Sequence, residues 1–270
     1  MLLFALMDAM SKLLVRDYSV GEALWVRYLI FTLFSLVIAW PRGIRRTAQS
    51  ASPWLQATRA LLAVVESATF VVAFQYLPLA ETHAIAASSP LMVVALSAPV
   101  LGERIGPHRL LSVFTAFAGV LLIIRPGFTQ VSGPLFIPLL GAFLWAIYQI
   151  MVRFLARDDR PETTLLWSAV VGLAAVSLIA PWQLRFPDAQ GWVLLIAIGT
   201  IGALAQYAII RGLDYAEASA VQPYGYTLLV WAALMGWLVF GDVPGAWTIL
   251  GACIVVLSGL YAWTQDREGP

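Results

Sequence analysis

Long apolar runs, each closed by a Pro, Gly, Ser or Arg break, recur ten times along the chain. Runs of about 20 residues without strict alternation are what a hydrocarbon layer about 30 Å thick asks of a helix rising about 1.5 Å per residue. The pattern predicts helices over 1–17, 20–40, 54–77, 79–101, 105–125, 134–154, 162–182, 190–212, 215–240 and 245–264. Strands of a membrane barrel would alternate over about ten residues, and these runs are too long and continuous for that. The first run is short for a span, so either the true start lies upstream or the helix begins flush with the surface.

The stretch from Leu79 to Gly127 organises the rest. It reads as two apolar helices joined by a tight charged turn, Gly102-Glu103-Arg104-Ile105-Gly106-Pro107. A looser copy stands roughly half a chain later: Ala80-Glu81 returns as Ala216-Glu217, and Gly102-Glu103 as Gly241-Asp242. The expectation is a tandem duplication, with residues 1–132 as a first five-helix repeat and 133–270 as a second. Basic residues crowd the even-numbered loops (Arg42, Arg45 and Arg46; Arg104 and Arg109; Arg153, Arg157 and Arg160; Arg211) and are sparse in the odd ones (Arg16, Arg125, Arg185). Even loops and both termini are therefore expected in the cytoplasm. Five helices is an odd number, so the second repeat would enter the membrane inverted, giving an all-α membrane protein of about ten helices. Glu103 and Asp242 precede helix starts, where negative charge is favourable, so they read as structural. Ala116, Ala118, Gly119, Gly251, Ala252, Ser258 and Gly259 allow close helix packing.

Composition narrows the class. Of 270 residues 61% are apolar and 11% charged, against about 25% charged in soluble domains. The bilayer is thus the expected solvent, and a net charge of +1 offers nothing to nucleic acid. The single cysteine, Cys253, excludes an intramolecular disulfide, and His83 and His108 do not have metal or haem spacing, so no metal or cofactor is expected. The N-terminal residues have no basic n-region, and read as a first span rather than a signal peptide. No nucleotide-binding motif is present, which argues against direct use of ATP. Trp40, Trp54, Trp182, Trp192, Trp247 and Trp263 fall at predicted helix ends, as headgroup anchors do.

Charges inside spans carry the most information, because each costs roughly 2.5–3.5 kcal/mol on insertion scales and asks for a partner or a wet cavity. The first half has Asp8, Lys12, Arg27, Arg59 and Glu66. Asp8 and Lys12 are spaced to pair on one helix face, and Arg59 and Glu66 share a face two turns apart that Phe70 continues. A purely structural ion-pair network is one reading. The other assigns Lys12, Arg27, Arg59 and Glu66 to ion pairing or coupling, and Asp8 and Glu66 to a cationic solute or a proton. The second half offers neutral polar and aromatic groups instead: Trp145, Tyr148, Gln149, Gln206, Tyr207, and Gln222, Tyr224 and Tyr226 around a Pro-Gly weak point. The candidate substrate-binding set is Asp8, Glu66, Phe70, Trp145, Tyr148, Gln149, Tyr207, Gln222 and Tyr224, an aromatic mid-membrane pocket with a few polar anchors. Ser88-Ser89-Pro90 is a second weak point.

The segments FALMDAMSKLL, WVRYLIF, LLAVVESATFVVAFQYLPLAE and AETHAIAASSPLMVVALSAPVLGERIG resemble the EamA family of the drug/metabolite transporter superfamily, with Asp242 where that family usually has Glu. The resemblance covers both halves. It implies ten helices, cytoplasmic termini and carriage of small metabolites across the bacterial inner membrane, usually outward; the first half is also similar to S-adenosylmethionine and riboflavin transporters. The expected function is a secondary carrier working by alternating access, proton-coupled or exchanging, for S-adenosylmethionine-, riboflavin- or amino-acid-like solutes. A channel and a non-transporting scaffold are the alternatives. An enzyme is not expected: neither His83, placed near an outer helix end, nor His108 forms a nucleophile–base pair. The expected partners are a small solute, the lipid bilayer and, as one assembly state, a second copy in a homodimer.

Overall fold

The computed structural model describes residues 1–15, 17–101, 107–124, 133–178, 187–215, 225 and 227–267. These residues are predominantly helical, with no strand among them. The helices of eight or more residues are α1 (Leu2–Leu14), α2 (Val20–Ala39), α3 (Pro53–Tyr76), α4 (Leu79–Ala86), α5 (Ser89–Leu101), α6 (Pro107–Ile124), α7 (Phe136–Leu155), α8 (Pro161–Ser177), α9 (Ala189–Tyr215), α10 (Thr227–Met235) and α11 (Ala246–Arg267). A π-helical turn, Gly236–Phe240, continues α10. The expected turn at Gly102–Gly106, the Gln222–Tyr226 weak point apart from Gly225, and Trp182 lie outside the described residues.

Local chemistry accounts for the boundaries. Ser19 caps α2, accepting the Glu22 N–H at 3.2 Å, with Glu22 in the first turn as a capping box places it. Pro53 and Pro161 occupy first helical positions, where the missing N–H is not needed. The run expected over 79–101 is broken: α4 stops at Ala86, Ser88 bonds back to the Ile85 carbonyl at 2.8 Å, and α5 restarts at Ser89-Pro90. The hydroxyl competes for the backbone and Pro90 supplies no amide, so the ladder cannot run through.

Five segments are long and apolar enough to cross a membrane: Val20–Arg42, Pro53–Tyr76, Leu79–Ser97, Gly133–Leu155 and Gly191–Tyr215. Phe114–Ile123, Thr227–Phe240 and Ala246–Tyr261 are apolar but shorter. α1 has 13 residues, a rise of only about 20 Å. Large apolar side chains stay exposed on outward faces, among them Leu33, Val37, Phe114, Phe117, Val193 and Ile196. Water would not tolerate so wide an apolar surface, and lipid does. The chain is a multi-pass helical membrane protein.

The two halves interlock. The closest-packed pairs each join a helix before residue 132 to one after it: α6 with α11, α2 with α8 and α9, α3 with α7 and α8, α5 with α7, and α1 with α9 and α10. At the α6–α11 crossing a Cβ on Gly119 would lie 2.9 Å from the Gly251 carbonyl oxygen, and one on Gly251 would lie 2.6 Å from that of Gly119. The backbones touch because neither residue has a side chain, the small-residue packing that apolar solvent favours.

At one end of the bundle, Asp188 precedes α9. Its Oδ1 accepts the Gly191 N–H at 2.8 Å and the Tyr18 hydroxyl at 2.9 Å. The Gly191 amide first, and then Tyr18, hold the Asp188 carboxyl below its usual value, while the bond to Asp188 pushes the Tyr18 hydroxyl above its own.

Two outcomes follow from this packing. Gly251→Leu should cost about 1–3 kcal/mol through overpacking and lower the melting temperature in detergent. Gly212→Ala, where nothing lies within 4 Å of the added carbon, should cost nothing. Because the Asp188 value is depressed in the folded state, its stabilisation is present at neutral pH and lost as pH falls through the acidic range. The raised Tyr18 value acts in the opposite sense, its contribution disappearing as pH rises past the usual tyrosine range. Asp188→Asn should flatten the acid limb of a melting-temperature profile against pH, and Tyr18→Phe the alkaline limb.

Candidate functional site

A cavity of about 930 Å³, its open mouth included, lies among α1, α2, α3, α4, α5, α7, α9 and α10. Its charged lining is Asp8, Arg27, Glu66 and His83, and its aromatic lining is Phe4, Phe70 and Trp145. Gln149 and Gln206 add neutral polar groups. A smaller space of about 380 Å³ lies behind it towards Ser168 and Phe31, sharing Arg27, Glu66, Trp145 and Gln206 as a common wall. Glu66 is buried, and one carboxylate oxygen accepts the Ser67 hydroxyl at 3.2 Å.

Trp145 is held from behind. Its ring stacks on Tyr148 (centroids 5.3 Å apart, planes at 15°), and Phe4 meets it edge-on at 5.8 Å. Tyr148 is fully buried, hydrogen-bonds Gln206 and accepts from Arg59 Nη1 at 3.2 Å. Arg59 is fully buried too, and its remaining bonds go to Ser168 Oγ at 2.9 Å, the Thr164 carbonyl at 2.9 Å and Gln56 Oε1 at 3.0 Å. Gln56 passes the charge on, donating to Asp159 Oδ2 at 2.8 Å. A permanently charged guanidinium in a dry interior needs such a shell, and the planar fork suits it.

A second cluster lies where α1, α3 and α4 meet. His83 Nε2 is 3.2 Å from Asp8 Oδ2, and the imidazole packs nearly parallel to Phe70 (6.2 Å, 12°). Lys12 does not pair with Asp8. It reaches Asp242 Oδ2 at 3.0 Å and sits 4.8 Å over the Phe240 ring. Gly241, at φ +70°, ends the π turn and points the chain so that Asp242 meets Lys12. At the opposite end of the helices Arg42 pairs with Glu162 at 2.9 Å, with Arg211 4.0 Å from the same oxygen. Among the described residues no group of His, Cys, Asp and Glu could hold a metal ion.

The EamA-like transporter family matches this chain twice, over residues 1–125 and 131–263. The chain belongs to that family. A riboflavin transporter of Vibrio cholerae serotype O1 is 33% identical over 235 residues, 86% of this chain and 79% of its own. A pseudopaline exporter of Pseudomonas aeruginosa is 28% identical over 273 residues, 98% of this chain and 93% of its own. A solved crystal structure covers 99% of this chain and 96% of its own with a TM-score of 0.70 at 19% identity, a likeness of fold.

In this EamA-like chain the cavity gathers Asp8, Glu66, Phe70, Trp145 and Gln149 from the sequence candidates, and Arg27 with them. Tyr148 stands one layer behind, on Trp145. Tyr207 is not on the cavity wall and packs edge-on against Phe34. Arg59 faces the Tyr148 network rather than Glu66, and Lys12 faces Asp242. Gln222 and Tyr224 lie outside the described residues. Sequence reasoning placed His83 near a helix end and passed over it; the broken fourth run, with Leu79 already fully buried, brings it to the cavity wall. The only signal for it was a histidine inside an expected span, two residues after Glu81.

Arg59→Lys should lower the melting temperature and the yield of monodisperse protein markedly, because an ammonium cannot serve Gln56, Tyr148, Ser168 and the Thr164 carbonyl together. Recovery of wild-type stability in that variant would mean that charge alone suffices.

Proposed function

We propose that this chain carries a small organic solute across the bacterial inner membrane by alternating access, without chemical change to the solute. The two matched regions act as inverted five-helix repeats, residues 1–132 and 133–270, with both termini cytoplasmic. The observation that carries the reading is the central cavity, built by helices of both halves and lined by buried Glu66 and half-buried Asp8 and Arg27 beside Phe70 and Trp145. A mid-membrane site at the interface of two repeats is the arrangement that rocking transporters use.

Packing supports the repeat. Number the ten expected spans in order, so that α4 with α5 is the fourth and α10 the ninth. Exchanging each span with the one five places away turns the contact of α3 with α7 into that of α9 with α1. It turns α3 with α8 into α9 with α2, and α5 with α7 into α10 with α1; both members of each set are close contacts. The pairs α6–α11, α2–α8 and α4–α10 map onto themselves. A two-fold relation between halves produces this pattern.

The ion pairs supply the two closures that alternation needs. Lys12–Asp242 joins the halves at one end of the bundle and Arg42–Glu162 joins them at the other. The relatives named as a riboflavin transporter and a pseudopaline exporter support a polar metabolite as cargo, with riboflavin-, S-adenosylmethionine- and amino-acid-like solutes as the first candidates.

Counterflow in proteoliposomes tests this, with riboflavin, S-adenosylmethionine, amino acids and choline as labelled solutes. One of them should enter vesicles preloaded with the same compound. Glu66→Gln should impair that uptake severely while the protein still elutes as a folded species. Wild-type counterflow in Glu66→Gln would remove Glu66 from the site.

A further inference from the structure

His83 is a buried imidazole that packing alone does not explain. Its side chain is 3% exposed, and Nε2 lies at ion-pair distance from Asp8. Neither ring nitrogen has an aligned hydrogen bond among the described residues. Burying both nitrogens without partners is costly, and an apolar side chain would fill the space between Phe70 and Phe74 without that cost. A carboxylate 3.2 Å away changes the balance: a proton on Nε2 turns the contact into an ion pair, and its loss needs no backbone movement.

The surroundings leave Asp8 as the close partner. Across the cavity stand Glu66 from α3 and Arg27 from α2, and α7 contributes Trp145 and Gln149. Lys12 is committed to Asp242 one turn along α1. Glu81, on the same helix as His83, has contacts of its own. No carboxylate or cation occurs in α10, in α6 from Leu111 to Ile123, or in α11 up to Ser258. Asp8 and His83 both line the cavity, so a solute there meets the pair directly.

We propose that Asp8 and His83 form the proton site that couples transport to the proton gradient, and that the favoured solute carries a cationic or amine group. In the loaded pair the Nε2–H faces Asp8. A solute entering the cavity takes the Asp8 carboxylate as its counter-ion, and the Nε2 proton leaves to water at the cavity mouth. When the solute departs on the other side, a proton from that side returns to Nε2. Charge balances, with one proton moving against each monovalent cationic solute. The Phe70 face, shared by His83 and the cavity, gives the solute's apolar part a surface beside its charge.

This inference rests on the transport reading, and the two fail differently. Proteoliposomes of the full chain are assayed with S-adenosylmethionine, choline, riboflavin and amino acids, first for counterflow and then under an imposed pH gradient in weakly buffered medium. The wild type should exchange a cationic member of the panel, accumulate it against a pH gradient and move protons as it does so. His83→Gln and His83→Asn should lose gradient-driven accumulation and the proton signal, while counterflow falls but stays measurable. Gradient-driven uptake by His83→Gln at the wild-type level would overturn the proposal, as would loss of counterflow in both variants when each elutes as folded protein. If neither variant folds, the wild type decides: solute uptake without proton movement overturns it. No counterflow from folded wild type removes the transport reading, and this inference with it.

Discussion

A guanidinium that cannot reach water sets the terms for much of this bundle. Arg59 is fully buried, and among the described residues no carboxylate lies at ion-pair distance from it. Its hydration is replaced by Gln56 on its own helix and by Tyr148, Ser168 and the Thr164 carbonyl across the interface. The counter-charge, Asp159, arrives one side chain removed, through Gln56. Such a shell works only if α3, α7 and α8 hold their mutual positions, because one lost acceptor leaves a buried charge underserved. The cavity inherits that order. Tyr148, fixed by Arg59 and Gln206, is the surface on which Trp145 stacks.

Against that fixed region stands a set of interrupted helices. The α6–α11 crossing is backbone on backbone at Gly119 and Gly251 and has the character of a rigid axis. The elements around the cavity are different: α1 is short, α4 and α5 are split at Ala87-Ser88, and α10 ends in a π turn. Each break leaves backbone groups that lipid could not serve, so each has to lie beside protein or a wet space. The elements that carry these breaks, α1, α4, α5 and α10, all line the cavity, so the least regular backbone is also the part that encloses the open space.

The membrane class, most helix positions and several charged, amide and aromatic residues of the cavity wall were legible in the sequence. The reason is energetic: a charge or amide in an apolar run is too expensive to keep on the lipid side, so Asp8, Arg27, Glu66 and Gln149 had to turn inward, and inward leads to the cavity. Partners were less legible. Helical spacing put Asp8 with Lys12 and Arg59 with Glu66. The actual partners, His83, Asp242 and Tyr148, come from other elements far along the chain. Local spacing weighs only neighbours on one helix, whereas a buried charge takes the best shell that any element offers. Tyr207 shows the converse, since an aromatic residue is cheap on any apolar face and its position carries little information.

The spacing of Asp8 and Lys12 still has a meaning in the folded protein. They share one face of α1, and each now holds a partner on a different element: His83 on α4 and Asp242 beyond α10. If the Asp242 contact opened, Lys12 would be left one turn from a carboxylate on its own helix, at a spacing that suits pairing. A half-buried ammonium is costly to leave unpaired, and Asp8 is the nearest carboxylate on its own helix. Taking it would displace His83. The latch at one end of the bundle and the pair at the cavity wall are therefore not independent. They draw on one cation, and the state of Asp242 bears on what Asp8 can hold.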